Sequence, residues 1–230
     1  MRQIVLDTET TGLHARLGDR IVEIGCVELI DRRPSDRGFH CYLNPEREIE
    51  EGALRIHGIT REFLADKPRF ADIADEFLAY IAGAELVIHN AEFDVEFLDA
   101  ELARIGRPPL AHHVARIVDT LALARELHPG RKNSLDALCE RYGVDHSHRH
   151  LHGAQLDARL LADVYLAMTR GQDSLQIELQ AAAQANDSAA AVDPSALVVV
   201  RASPEEAAAH EAYLDALDRA AAGGSLWRRL

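Results

Sequence analysis

Only three cysteines occur in 230 residues, Cys26, Cys41 and Cys139, spaced 15 and 98 positions apart and in no CxxC pair. That spacing excludes a zinc ribbon and a disulfide framework, and it suits a reducing cytosol. Basic residues are scarce as well: 25 Lys and Arg against 38 Asp and Glu leave a net charge of −13. Holding nucleic acid by bulk electrostatics needs clustered cations, so that class of binder is excluded. An enzyme whose acidic site meets phosphates through bound metal ions is not. No run approaches 18 apolar residues, and Met1-Arg2-Gln3 leads straight into a strand-like segment, so neither a membrane span nor a signal peptide is expected. Apolar residues are not lacking. At 47% they suffice for one compact domain plus an appendage.

Arg2–Asp7 and Arg20–Ile30 are rich in β-branched residues and flank a Thr/Gly/Asp-rich loop, which predicts two strands, with a third at Phe39–Leu43. Phe70, Ile73, Phe77, Leu78 and Ile81 recur at helical spacing, and Gly83 is placed to end that helix. Glu85–His89 reads as a short buried strand. Asn90 is then the N-cap of a helix with apolar face Phe93, Phe97, Leu98, Leu102 and Ile105. Ile117–Val118 reads as a strand, and Leu135, Leu138, Cys139 and Tyr142 as a helix stopped by Gly143. A last helix from about Gly153 to Thr169 buries Leu156, Leu160, Leu161 and Val164. Strands first and interleaved helices later predict an α/β fold with a mixed sheet.

Composition changes after Gly171. Between Glu178 and Ala196, 15 of 19 residues are Ala, Gln, Asn, Asp or Ser. Such a segment buries too little apolar area to offset its ordering entropy. The expected organisation is a domain over residues 1–171, a short peptide at 172–177, a flexible linker at 178–195 and a C-terminal docking segment at 196–230. In that segment Ala196–Val200 is a β-type run. Ser203, Pro204 and Glu206 supply an N-cap, an N1 proline and an N3 glutamate for a helix carrying Tyr213, Leu214 and Leu217, with Gly223-Gly224 as its stop.

Asp7 and Glu9 lie two apart at the end of the first strand, so the period of two puts both carboxylates on one face. Crowded like charges are costly unless cations share them, which is what a divalent-metal site requires. A solvated strand end is the plainer alternative, set against the apolar Ile4-Val5-Leu6 before the pair. Asp94 falls in the first turn of its helix, beside the inward-facing Phe93 and Phe97; it either caps that helix or adds a third carboxylate. His152 and Asp157 are about 140° apart on a helical projection, so they converge only if His152 precedes the helix on a loop, where Gly153 fits the break. A loop histidine near metal-bound water suits general-base work. The alternation His146, His148, His150, His152 could instead be a metal-binding strand, though no cysteine accompanies it.

With these residues in order, the stretches Asp7–Gly12 (DTETTG), His89–Asp94 (HNAEFD) and His152–Ala158 (HGAQLDA) resemble the histidine-bearing branch of the DEDD exonuclease superfamily. The likeness is closest to the proofreading group that serves bacterial DNA polymerase III, and it extends to RIVEIG, KNSLDALCERY and the LWRR of the tail. It implies a ribonuclease H-like mixed sheet flanked by helices, and a 3′–5′ exonuclease releasing nucleoside 5′-monophosphates. It implies two divalent ions, Mg²⁺ or Mn²⁺, roughly 4 Å apart. Asp7, Glu9, Asp94 and Asp157 would then be the metal ligands, with Asp7 bridging, Glu9 and Asp157 on the nucleophile-side ion and Asp94 on the other. His152 would be the general base. Asp7, Glu9, Asp157 and His57 would also face the terminal nucleotide; a loop cap is the alternative for His57.

The same resemblance implies partners: a single-stranded 3′ DNA end, the polymerase III alpha subunit bound by 196–230, the sliding clamp (beta), and a small accessory subunit. Gln172, Leu175 and Ile177 resemble a clamp-binding peptide, with Ile177 where an aromatic is usual. Val198–Val200 could add a strand to a sheet edge, and Trp227 could be a buried anchor. Two other readings stand beside this one. An RNA-directed exonuclease of the superfamily usually lacks such a tail, and a non-catalytic polymerase-stabilising subunit would not need the complete acids and histidine.

Overall fold

In a computed structural model of the chain, the structure describes residues 1–147, 149, 151–170 and 202–220. Among them lie five strands: β1 (Arg2–Thr10), β2 (Ile21–Ile30), β3 (Arg33–Tyr42), β4 (Glu85–Ile88) and β5 (Arg116–Asp119). They form one sheet in the order β3-β2-β1-β4-β5. β1 pairs antiparallel with β2 and parallel with β4, while β2–β3 is antiparallel and β4–β5 parallel. The mixed sheet expected from the sequence is the one observed. β3 begins earlier than expected, at Arg33, because Asp31 and Arg32 adopt positive φ in a tight hairpin that starts pairing at once.

Helices cover both faces. Period-two alternation sends Ile4 and Leu6 of β1 into a cluster with Phe77 and Leu98, from α3 (Phe70–Ile81) and α4 (Ala91–Arg104). Val5 points the other way, into a cluster with Ala124, Leu138, Leu161 and Val164. These come from α5 (Thr120–Leu127), α6 (Leu135–Tyr142) and α7 (Ala154–Met168). Two short helices, α1 (Glu51–His57) and α2 (Arg61–Leu64), follow β3. The sequence reading passed over these two, which are too short to show much periodicity, and over α5.

The N-terminus of α7 is docked on β2 by two residues. A Cβ on Gly25 would stand 2.2 Å from the backbone carbon of Ala154, so only glycine permits the approach. Beside it, Glu23 accepts a hydrogen bond from the Ala154 amide at 3.1 Å, capping a helix whose own N-cap, Gly153, has no side chain to do so. Asn90 stands at the N-cap of α4 as expected, but its backbone is left-handed and its side chain caps nothing; Asp119 accepts from its amide instead.

The chain divides into two units, Met1–Leu175 and Gln176–Leu230. Of the second, the structure describes α8 (Pro204–Ala220), opened by the expected capping box: Ser203 accepts from the Glu206 amide at 3.2 Å, and Glu206 from the Ser203 amide at 2.8 Å. The clamp-like peptide, the linker, Ala196–Val200, Gly223-Gly224 and Trp227 lie outside the described residues. Among the described residues no helix is long and apolar enough to cross a membrane.

Candidate active site

A cleft of about 1150 Å³ opens where β1 ends and the first turns of α4, α6 and α7 meet. Asp7, Glu9, His57, Asp94, His152 and Asp157 all line it. Asp7 and Glu9 project from β1 on the same face as Val5, which brings them under α7. Asp157 comes from the first turn of α7, and His152 from the loop before that helix, as the rotation argument required. Asp94 reaches in from α4, buried, and accepts a hydrogen bond from the Thr8 hydroxyl at 2.7 Å. Its carboxylate is therefore directed at the strand end.

The acids are crowded. Enclosure pushes the Asp7 carboxyl well above the ordinary range, with Asp94, Glu9 and Asp157 adding repulsion. Burial, then the charges of Asp157 and Glu23, push Glu9 up to about 8. Asp94 rises to about 7, mainly by burial against the opposing hydrogen bonds from Thr8. Asp157 goes the other way: burial would raise it, but His152 and Arg149 hold it below the usual value. Among the described residues, Glu9, His152 and Asp157 bring ligand atoms within 4.8 Å of one another. Hard carboxylate oxygens, three of them on acids that resist ionising until a cation arrives, fit a divalent ion.

His57 ends α1, buried, and its ring is fixed on both sides. The Ile59 amide donates to Nδ1 at 3.0 Å, which leaves Nε2 to donate to the Thr10 carbonyl at 3.2 Å. Burial lowers its pKa, keeping it neutral. The loop-cap reading of this residue is the one its hydrogen bonds describe, and its ring also lines the cleft.

Three features escaped the sequence reading. Arg149 places a guanidinium among the acids, hydrogen-bonded to Asp157 through Nε at 2.6 Å and Nη2 at 2.5 Å. Leu13 and Ile56 present exposed apolar surface to the cleft. Arg125 and Arg131 stand exposed on its wall, a local positive rim in an acidic chain. No local pattern marks them, because a cleft assembled from six elements and the loops between them has no period in sequence.

Residues 4–165 match the Exonuclease family model of RNase T type. The chain is 51% identical to DNA polymerase III subunit epsilon of Salmonella typhimurium, covering 99% of this chain and 97% of that protein. Identity to the Escherichia coli subunit of the same name is 49%, with the same coverage. Among solved structures, Exonuclease X in complex with 5′ overhanging duplex DNA is similar with a TM-score of 0.59 and 29% identity, over 74% of this chain and 92% of that one.

Proposed function

The chain belongs to the Exonuclease family of RNase T type, and from that premise we propose that it is the 3′–5′ proofreading exonuclease of a bacterial DNA polymerase III, acting as its epsilon-type subunit. The observation that carries this is the convergence of Asp7, Glu9, Asp94, Asp157 and His152 in one cleft. Asp7, Glu9, Asp94 and Asp157 would hold two divalent ions, Mg²⁺ or Mn²⁺. Bound there, such ions would polarise the scissile phosphodiester and acidify a water for attack at neutral pH.

The chain's own residues do the rest. His152 takes the proton of the attacking water, its loop position letting the ring approach without bending α7. His57 stays neutral and holds the Thr10 carbonyl, fixing the turn that follows Glu9. Leu13 and Ile56 offer apolar surface to the terminal base, and Arg125 and Arg131 offer charge to the incoming strand. The product is a nucleoside 5′-monophosphate.

Residues 196–230 bind the polymerase alpha subunit, and Gln172, Leu175 and Ile177 touch the sliding clamp, so the nuclease is tethered beside the primer end at high effective concentration. A small accessory subunit and a cytoplasmic location complete the proposal. The test is digestion of a primer with a mismatched 3′ end, with and without the polymerase subunit. Metal-dependent removal of the mismatch, faster in the complex, supports the reading; a chain inert under both conditions refutes it.

A further inference from the structure

The Arg149 side chain is 7% exposed, although the residue lies in the connection between α6 and α7. Its planar fork takes both oxygens of Asp157, its Nη1 bonds Asp136 at the start of α6, and its Nη2 stands 2.9 Å from Nδ1 of His152. One side chain thus engages a proposed metal ligand and the proposed base together. Building on the reading of this cleft as a metal centre, we propose that Arg149 is a displaceable lock: it occupies the Asp157 side of the metal site and disables His152 until a divalent ion drives it off.

The metal half of the argument is electrostatic. Asp157 contributes to the tight group with Glu9 and His152, and both its oxygens are engaged by the guanidinium. A fixed positive charge on that carboxylate repels a divalent cation arriving at the same oxygens, so guanidinium and ion exclude one another.

The base half is a matter of hydrogen-bond direction. Arginine only donates, so beside Nη2 the Nδ1 of His152 must accept, which puts the ring proton on Nε2. If Nε2 is the basic nitrogen, it already carries a proton; if Nδ1 is, its lone pair is taken. Neither nitrogen can receive the proton of an attacking water. With Arg149 gone, Nδ1 lies 3.3 Å from Asp157 and can donate to it, which frees the Nε2 lone pair. Asp136, half-exposed, is the partner on which the guanidinium can remain as it leaves.

The test uses the full-length chain without DNA. Calorimetric titration with Mn²⁺ and with Mg²⁺ is compared for wild type, Arg149→Ala and Arg149→Lys. The lock predicts tenfold or more tighter binding by the alanine variant and an intermediate gain for lysine, which keeps the charge but loses the fork. Nitrogen NMR of His152 in the metal-free state should show the ring proton on Nε2 in wild type and on Nδ1 in the alanine variant. A merely structural arginine would give weaker metal binding when removed. Equal or weaker binding by both variants therefore overturns the lock and leaves the metal centre standing, whereas a wild-type chain that binds neither ion overturns the metal centre itself. Should the alanine variant not fold, the lysine variant decides by its metal affinity, tighter binding than wild type supporting the lock and equal or weaker binding overturning it.

Discussion

The role proposed for His152 depends on where the helix starts: one residue before the Gly153 N-cap, it is held by its own amide to the Ile56 carbonyl at 3.1 Å while its ring faces Asp157. Replacing it with alanine should cut the exonuclease rate on the order of 10²–10⁴-fold while leaving divalent-ion affinity nearly intact. Calorimetry showing lost metal binding would make it a ligand instead. The crowded acids give a second prediction. Glu9 and Asp94 titrate higher in the fold than in the open chain, so their contribution is fully present near pH 4 and is lost as pH rises through about 7 for Asp94 and about 8 for Glu9. The metal-free protein should therefore lose stability, by several kcal/mol, as pH rises across 4.5–8. Saturating Mg²⁺ should flatten that slope; thermal melts with chelator and with metal check it, and a stability that rises over the window contradicts it.

Among the elements, α7 carries the most consequence, because Asp157 and the His152 loop move with it. Its contact with β2 through Gly25 is tight enough that Gly25→Ala should displace the helix N-terminus, costing about 1–3 kcal/mol of stability and most of the activity. A variant with wild-type melting temperature and rate would show the contact to be slack. The helix itself was legible in the sequence, from Leu156, Leu160, Leu161 and Val164 at helical spacing, as was the placement of His152 outside it. So were β1 with its paired acids and the capping box of α8. What was not legible is what the fold alone brings together: Glu23 capping a helix 131 positions away, and Arg149 turned in onto Asp157 from before the start of α7. Burial of a charged side chain is decided by its partners, and those partners sit on other elements.

Taken whole, the proposal separates chemistry from attachment. Every residue placed in the cleft lies before Gly171, inside the unit Met1–Leu175. A fragment of residues 1–171 should thus digest free single-stranded DNA about as well as the full chain, yet fail to co-elute with the polymerase alpha subunit. Residues 178–230 should co-elute without nuclease activity, and size-exclusion chromatography of each pair decides; tight binding by the 1–171 fragment would refute the division. The net charge of −13 fits the proposed arrangement, in which bound cations and the partner would supply affinity for DNA. The central claim, that these four acids make a 3′-directed metal-dependent nuclease, is tested most directly on a 5′-labelled single strand. In Mg²⁺ the wild type should produce a ladder shortening one nucleotide at a time from the 3′ end, and Asp7→Ala, folded and at least as stable without metal, should produce none. Near-normal digestion by that variant, or release of the label as a mononucleotide in the first turnovers, would contradict it.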